Sequence, residues 1–263
     1  MVGGVSIWER CNMYIREGFA QTCLAGRQGR KDRQGKTIIL SVLVTIARNF
    51  TMPNVNTMVG RLFLIIVAFL MISASPERVI LFYGDSLTAG YGLSPEEAFP
   101  AIVEKSLRKK GLNVKVVNAG LSGETSAGGL SRIDWILRQP IDILVLELGA
   151  NDGLRGLPIA QTSKNLQAIL DKVKGKYPAC KIVLAGMMVP PNMGKDYASA
   201  FQNVYHDLAK KNKATLIPFL LENVGGIESL NQADGIHPNI EGHKIVATNV
   251  MKVVTPLLDS VAK

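Results

Sequence analysis

Residues 78–92 read RVILFYGDSLTAGYG, and this stretch decides the fold. Its apolar run, residues 79–83, is typical of a buried strand. Gly84, Asp85 and Ser86 follow at once. Ligands of parallel sheets bind beyond the carboxyl ends of the strands, so a small polar loop at this point suggests function. We therefore expect a β-strand that carries a serine hydroxyl to one edge of a sheet.

The same alternation of apolar runs and amphipathic stretches continues along the chain. Four more strands are predicted, at residues 114–117, 143–148, 181–185 and 215–218. Five helices are predicted, one directly after the capping sequence Ser94-Pro95-Glu96-Glu97 and the others at residues 127–138, 162–176, 197–211 and 240–258. This order predicts one α/β domain over residues 76–263, with a five-stranded parallel sheet and helices on both faces.

The segment before this domain has the layout of a secretory signal. Residues 62–72 are eleven apolar residues, preceded by Arg61 and followed by Ser73, Ala74 and Ser75. The run is too short to span a membrane comfortably. We predict a signal peptide at residues 58–75, cleaved after Ala74, and a periplasmic or secreted protein without a stable membrane anchor.

Residues 1–57 form a basic leader that carries no chemical motif. We predict that the natural start is Met58 or Met52 and that this leader is not part of the natural protein; a genuine basic leader or membrane-proximal arm is the alternative. The leader holds eight Lys/Arg against three Asp/Glu, whereas residues 76–263 keep a net charge of only +3 out of +9. A mildly basic domain gives no reason to expect a nucleic-acid partner.

Cysteines and histidines are few in the domain. Cys180 is its one cysteine and is predicted to be a small buried apolar residue. Of the three histidines, we expect His206 to be a surface residue and His243 to be structural. No ligand-spaced cluster and no phosphate-binding loop are found, so neither a metal nor a cofactor is predicted.

Acyl transfer needs a nucleophilic hydroxyl, a base, a group that orients the base, and donors for the oxyanion. Ser86 offers the hydroxyl, and His237, at the entrance of the last helix, is the natural base. Asp234 lies three residues earlier and can orient His237 within a turn. Two rival carboxylates are Asp85, for which we expect a turn-stabilising role, and Asp152, which we expect to brace its loop.

Four sequence blocks together resemble the GDSL esterases, also called SGNH hydrolases. The blocks begin with GDSL at residues 84–87 and continue with residues 118–125 (NAGLSGET), 147–156 (ELGANDGLRG) and 234–239 (DGIHPN). The match looks closest to the periplasmic arylesterase and acyl-thioesterase branch and covers residues 78–260. It implies a three-layer, flavodoxin-like domain. It also implies a Ser86–His237–Asp234 triad and an oxyanion held by the backbone N–H groups of Ser86 and Gly123 and the side chain of Asn151.

A Met-rich loop follows the fourth strand and would lie beside the pocket. We expect its residues Met187, Met188, Val189 and Pro190 to bind the acyl chain, since Met adapts to varied apolar shapes; ordinary packing under a loop is the alternative. The predicted substrate is a small acyl ester or thioester, including lysophospholipids, cleaved by a monomer or weak dimer. A carbohydrate O-deacetylase and a non-catalytic binding module are the rival functions.

Overall fold

The structure is a computed structural model that describes residues 76–259. Within this range, five strands form one parallel sheet in the order β2-β1-β3-β4-β5. They are β1 (Arg78–Gly84), β2 (Val114–Asn118), β3 (Ile143–Glu147), β4 (Lys181–Ala185) and β5 (Thr215–Ile217). The predicted five-stranded parallel sheet is confirmed, and its strand order is that of flavodoxin-like folds.

Helices cover the sheet in two groups. The α-helices of residues 76–259 are α1 (Ser86–Ala89), α2 (Phe99–Lys109), α3 (Ser126–Ile136), α4 (Ala150–Leu154), α5 (Ile159–Lys176), α6 (Lys195–Asn212) and α7 (Ile240–Asp259). Helix α2 packs against α7, whereas α3 packs against α5 and α5 against α6. Because parallel crossovers are right-handed, the two groups lie on opposite faces. The three-layer α/β/α architecture is therefore confirmed.

Strand β3 lies at the centre of the sheet and is buried along its whole length. Ile143, Leu144, Val145 and Leu146 are each at most 2% exposed. A strand covered on both faces has this continuous apolar sequence. Its last residue, Glu147, is a carboxylic acid with 0% exposure, and it lies at the carboxyl edge where the polar loops begin.

The start of helix α2 differs from the prediction. The backbone N–H and Oγ of Ser94 do donate to Oε2 of Glu97, at 3.0 and 2.8 Å, but residues 95–97 form a turn. The helix begins at Phe99, whose N–H donates to Nδ1 of His243 at 3.1 Å. A buried histidine of α7 thus takes the place of the expected side-chain cap.

Three other predictions concern the limits of this domain and its cysteine. The leader (residues 1–57) and the signal peptide (residues 58–75) lie outside the described residues. Over residues 76–259, no helix is long and apolar enough to cross a membrane.

Cys180 is partly exposed rather than buried, because it lies just before β4 begins. Burial of part of its surface raises the pKa of the thiol to about 12, so the thiolate is disfavoured.

Candidate active site

Hydrogen bonds join the four polar segments at the carboxyl edge of the sheet. Ser86, after β1, contacts His237, which precedes α7. Asn151, after β3, contacts Asp85 and the carbonyl oxygen of Glu124, which follows β2. The structure therefore brings together the segments that the sequence analysis singled out, although they are separated by up to 151 residues.

Ser86 is the first residue of helix α1, directly beyond β1. Asp85 is the N-cap of this helix, and its Oδ1 accepts a hydrogen bond of 3.0 Å from the N–H of Leu87. Gly84 has no room for a side chain, because a Cβ there would lie 2.4 Å from Oε2 of Glu147. The tight strand-to-helix turn that presents Ser86 thus has a glycine where no side chain fits and a side-chain cap supplied by Asp85.

His237 connects Ser86 to Asp234. Its Nε2 lies 2.9 Å from Oγ of Ser86, and its Nδ1 lies 2.6 Å from Oδ2 of Asp234. Oδ1 of Asp234 also accepts hydrogen bonds from the N–H groups of His237 and Ile236. The backbone and ring hydrogen bonds of His237 lower the pKa of Asp234 from 3.8 to about 2. A carboxylate facing Nδ1 favours a proton there, which leaves Nε2 free to accept the serine proton.

Tyr91 and Gln232, which the sequence did not indicate, contact the ring of His237 and the backbone of its loop, respectively. The ring of Tyr91 lies 4.6 Å from the His237 ring, centroid to centroid, at a tilt of 40°. Nε2 of Gln232 donates to the carbonyl oxygens of Tyr91, at 2.7 Å, and of Pro238, at 3.0 Å. Gln232 therefore ties the loop after α1 to the loop of His237. Since 141 residues separate Gln232 from Tyr91, no local pattern reveals this contact.

Gly123 has a φ of +78°, a left-handed conformation that favours glycine. Its carbonyl oxygen accepts a hydrogen bond of 3.1 Å from Nη2 of Arg155. Among residues 76–259, a Cβ at position 123 would have only this guanidinium within 4 Å, so the residue borders open space there. The left-handed backbone therefore favours a glycine at position 123.

The side-chain amide of Asn151 lies between two loops. Its Nδ2 donates at 3.0 Å to Oδ2 of Asp85 and at 3.0 Å to the carbonyl oxygen of Glu124. Asp85 and Glu124 are the sequence neighbours of Ser86 and Gly123. The amide of Asn151 is thus linked to Ser86 and Gly123 through their adjacent residues.

The rival carboxylate Asp152 is buried away from the histidine. Its Oδ2 accepts from the N–H of Ser126 at 2.7 Å, and its Oδ1 accepts from the hydroxyl groups of Ser126 and Thr162. These contacts fix the start of α3 and the first turns of α5. Asp152 therefore lies where it can brace the loop, as expected from the sequence, and Asp234 is the carboxylate that contacts His237.

A partly buried ion pair between Arg132 and Glu124 braces the loop that contains Gly123. Nε of Arg132 donates to Oε1 of Glu124 at 2.6 Å, and Nη2 donates to Oε2 of Glu124 and, at 2.8 Å, to the carbonyl oxygen of Ala119. The guanidinium carbon lies 4.4 Å from the ring centroid of Tyr83. The sequence did not indicate this pair, because Glu124 precedes α3 while Arg132, eight positions later, lies within it, so the two share no helical spacing that could be read along the chain.

The expected acyl-binding residues alternate between the core and the surface. Met187 and Val189 are 4% and 8% exposed and belong to the hydrophobic core. Met188 is 43% exposed, and Pro190 is also exposed. Of the predicted set, therefore, Met188 and Pro190 are available to a ligand, whereas Met187 and Val189 anchor the loop.

The other two histidines lie as expected. His206 is exposed on α6, and His243 is buried on α7 with its Nδ1 engaged by Phe99. Within the described part of the chain, no three His, Cys, Asp or Glu side chains are grouped so that they could hold a metal ion.

A hydroxyl, an imidazole and a carboxylate bonded in series beyond a parallel sheet are the arrangement of a serine hydrolase. The family model for the GDSL-like lipase/acylhydrolase family matches residues 82–245. The chain therefore belongs to this family, and it is a carboxylic ester hydrolase. The resemblance drawn from the four sequence blocks is confirmed.

Individual relatives are similar over most of their length. An esterase TesA of Pseudomonas aeruginosa is 40% identical over 190 residues, which are 72% of this chain and 94% of that protein. A thioesterase 1/protease 1/lysophospholipase L1 of Escherichia coli is 38% identical over 200 residues, 75% of this chain and 92% of that protein. A crystal structure of TesA matches with a TM-score of 0.66 and 40% identity, covering 68% of this chain and 99% of that chain.

Proposed function

We propose that the protein hydrolyses acyl esters and thioesters, with Ser86 as nucleophile, His237 as general base and Asp234 as the residue that orients the base. The observation that carries this proposal is the pair of short contacts at the two ring nitrogens of His237, 2.9 Å to Oγ of Ser86 and 2.6 Å to Oδ2 of Asp234. An imidazole held in this way can take a proton from the hydroxyl and give it up to a leaving group.

In the first half of the reaction, Oγ of Ser86 attacks the acyl carbon while Nε2 of His237 takes the hydroxyl proton. The tetrahedral intermediate collapses as His237 passes this proton to the departing alcohol or thiol, which leaves an acyl group on Ser86. In the second half, water gives a proton to His237 and attacks the acyl-enzyme. The acid then departs, and the proton returns to Ser86.

The oxyanion of both tetrahedral intermediates is held, in this proposal, by three donors: the backbone N–H groups of Ser86 and Gly123 and the side-chain amide of Asn151. Support comes from the left-handed backbone of Gly123, which borders open space, and from the hydrogen bonds that fix Asn151. These donors are neutral and fixed before substrate arrives, so they stabilise charge without reorganisation.

The proposed substrate class is based on the names of the relatives and on exposed apolar side chains. The relatives are named as an esterase and as a thioesterase and lysophospholipase, and each of these substrates presents an acyl carbonyl attached to an apolar chain. Tyr91 and Ile236 are exposed and lie five residues or fewer from Ser86 and His237 in sequence, and Leu121 and Met188 are exposed in the segments that follow β2 and β4. These apolar side chains suit such a chain. We assign Met188 to the acyl-chain surface.

A panel of substrates tests the proposal. Short- and long-chain 4-nitrophenyl esters, an acyl-CoA, a lysophospholipid and an acetylated sugar are each assayed with wild type, S86A and M188Q. We expect ester and thioester hydrolysis that S86A abolishes, and M188Q should lower activity on long chains more than on short ones. Activity on the acetylated sugar alone would instead indicate a carbohydrate O-deacetylase.

Export through residues 58–75 is part of this proposal, and its support is the arrangement of Arg61, the apolar run and the small residues that follow. Intact-mass measurement of the protein from its natural host tests it. A mature chain that begins after Ala74 is the expected result. A chain that retains residues 58–75, or one that begins before Met52, would contradict the predicted processing or the predicted start, respectively.

A further inference from the structure

We infer that Asp85 is a positioning residue for the oxyanion hole, because one carboxylate both caps the helix of Ser86 and holds the amide of Asn151. Oδ1 accepts from the N–H of Leu87 at 3.0 Å, and Oδ2 accepts from Nδ2 of Asn151 at 3.0 Å. The side chain is 1% exposed, so water does not compete for these contacts. The inference deepens the proposed function and rests on the oxyanion role of Asn151.

The two acceptors around Asn151 set which way its amide faces. Nδ2 has two hydrogens, and they point at Oδ2 of Asp85 and at the carbonyl oxygen of Glu124. If the amide turned over, its own oxygen would face both acceptors, and the two contacts would become repulsive. The donor side of Asn151 is therefore fixed before substrate binds.

An oxyanion must share one of these two hydrogens, and charge decides which. A hydrogen bond to an ionised carboxylate is stronger than one to a neutral carbonyl oxygen. The hydrogen that faces Asp85 therefore keeps its contact, and the hydrogen that faces the carbonyl oxygen of Glu124 is the one that an oxyanion shares. Asp85 thus holds the amide in place while the oxyanion forms.

The neighbouring carboxyl group of Glu147 favours the ionised form of Asp85. Glu147 is 0% exposed, and its Oε2 accepts from the N–H of Asp85 at 3.1 Å and from Oγ1 of Thr88 at 2.8 Å. Burial, and then the charge of Asp85, raise the pKa of Glu147 well above its ordinary value. Burial also raises the pKa of Asp85, to about 6, because the hydrogen bonds from Leu87 and Asn151 offset only part of the effect of burial. At Glu147 burial and the charge of Asp85 act in the same direction, so at neutral pH we place the proton on Glu147 and the charge on Asp85.

Substitution by serine separates the two roles of Asp85. Serine is as good an N-cap as aspartate, so D85S can still accept from the N–H of Leu87. Its side chain is too short to reach Asn151. If Asp85 only caps α1, D85S keeps its activity; if Asp85 positions Asn151, D85S loses turnover while the helix stays capped. D85N is a second variant that keeps the cap but presents an N–H to the N–H of Asn151.

The test is a double-mutant cycle of D85S and N151A in the full chain, with kcat and KM measured on a short-chain 4-nitrophenyl ester. We expect N151A to lower kcat by about 10²–10³-fold, the usual effect of losing one oxyanion donor. D85S should lower kcat at least about tenfold with little change in KM, and D85S/N151A should be no slower than N151A within about threefold. D85N should resemble D85S, which keeps the test usable if D85S fails to fold.

Y205F is the matched control, because it removes a buried hydroxyl, which donates to the carbonyl oxygen of Leu148 at 3.0 Å, without removing a hydrogen bond of Asp85, Asn151 or Glu147. Its kcat should stay close to that of wild type. Losses that multiply in the double variant, wild-type turnover in D85S, or an equal loss in Y205F would each overturn the positioning role. Wild-type turnover in N151A would instead contradict the proposed oxyanion hole itself, and the inference with it.

Discussion

At the scale of the residue, His237 depends on Asp234 for its orientation. One oxygen of Asp234 holds the backbone of the loop, and the other holds the ring at 2.6 Å. The sequence suggested this pair from a spacing of three residues, because such a turn is local. It could not show that the same carboxylate also binds two backbone N–H groups, because that contact depends on the loop conformation.

Substitution of His237 and Asp234 should therefore have unequal effects. H237A should nearly abolish kcat, because no other base contacts Ser86 in the described residues. D234A should cost less, because the imidazole remains and loses only its orienting partner. Steady-state kinetics on a 4-nitrophenyl ester measures both. The opposite result, a harmless D234A with a D152A as damaging as H237A, would mean that Asp152 is the orienting carboxylate.

Glu147 should make the protein less stable as the pH rises. Its pKa is raised in the folded state, so the folded chain keeps a proton that the unfolded chain loses above about pH 4.3. Its Oε1 is buried and makes no hydrogen bond within the described residues, which disfavours the charged form further. E147Q cannot titrate. Chemical unfolding of both proteins from pH 4 to pH 8 should show E147Q gaining stability relative to wild type, whereas a constant difference would contradict a protonated Glu147.

At the scale of the element, the strands were predicted to within a residue or so, because each is a short apolar run between polar loops. Lys181–Ala185 was predicted with its observed bounds. The short helices α1 and α4 could not be predicted, since four and five residues carry no helical period. The start of α2 was misplaced because its cap comes from His243, 144 residues away.

His243 should make the pairing of α2 with α7 sensitive to acid. Burial, and to a lesser degree the charge of His237, lower the pKa of His243 from 6.5 to about 4. The unfolded chain therefore binds a proton that the folded chain does not, and stability falls as the pH drops from about 6.5 to about 4. At about 1.4 kcal/mol for each pKa unit, the loss is at most about 3 kcal/mol.

H243N tests this effect, because the oxygen of asparagine can accept the N–H of Phe99 but does not titrate. The variant should be less stable than wild type at pH 7, since the ring that stacks on Phe99 is lost. Between pH 6.5 and pH 4, its free energy of unfolding should change less steeply. Parallel slopes for the two proteins would show that His243 does not titrate on folding.

At the scale of the whole molecule, the site exists because four loops from distant parts of the chain meet at one edge of the sheet. The sequence predicted that the functional residues lie at this edge, because parallel strands place their carboxyl ends together. It could not predict the contacts between the loops, because these pair residues such as Asp85 and Asn151 that share no local pattern. The Glu124–Arg132 pair and the Gln232 bridge were missed for the same reason.

The central claim, that Ser86 is an activated nucleophile, is tested most directly by a fluorophosphonate probe. Wild type, S86A and H237A are incubated with the probe, and intact mass and peptide mapping locate the adduct. We predict one adduct on wild type at Ser86, none on S86A, and much slower labelling of H237A, because the hydroxyl then lacks its base. Folded wild-type protein that stays unlabelled, or an adduct on another residue, would contradict the account.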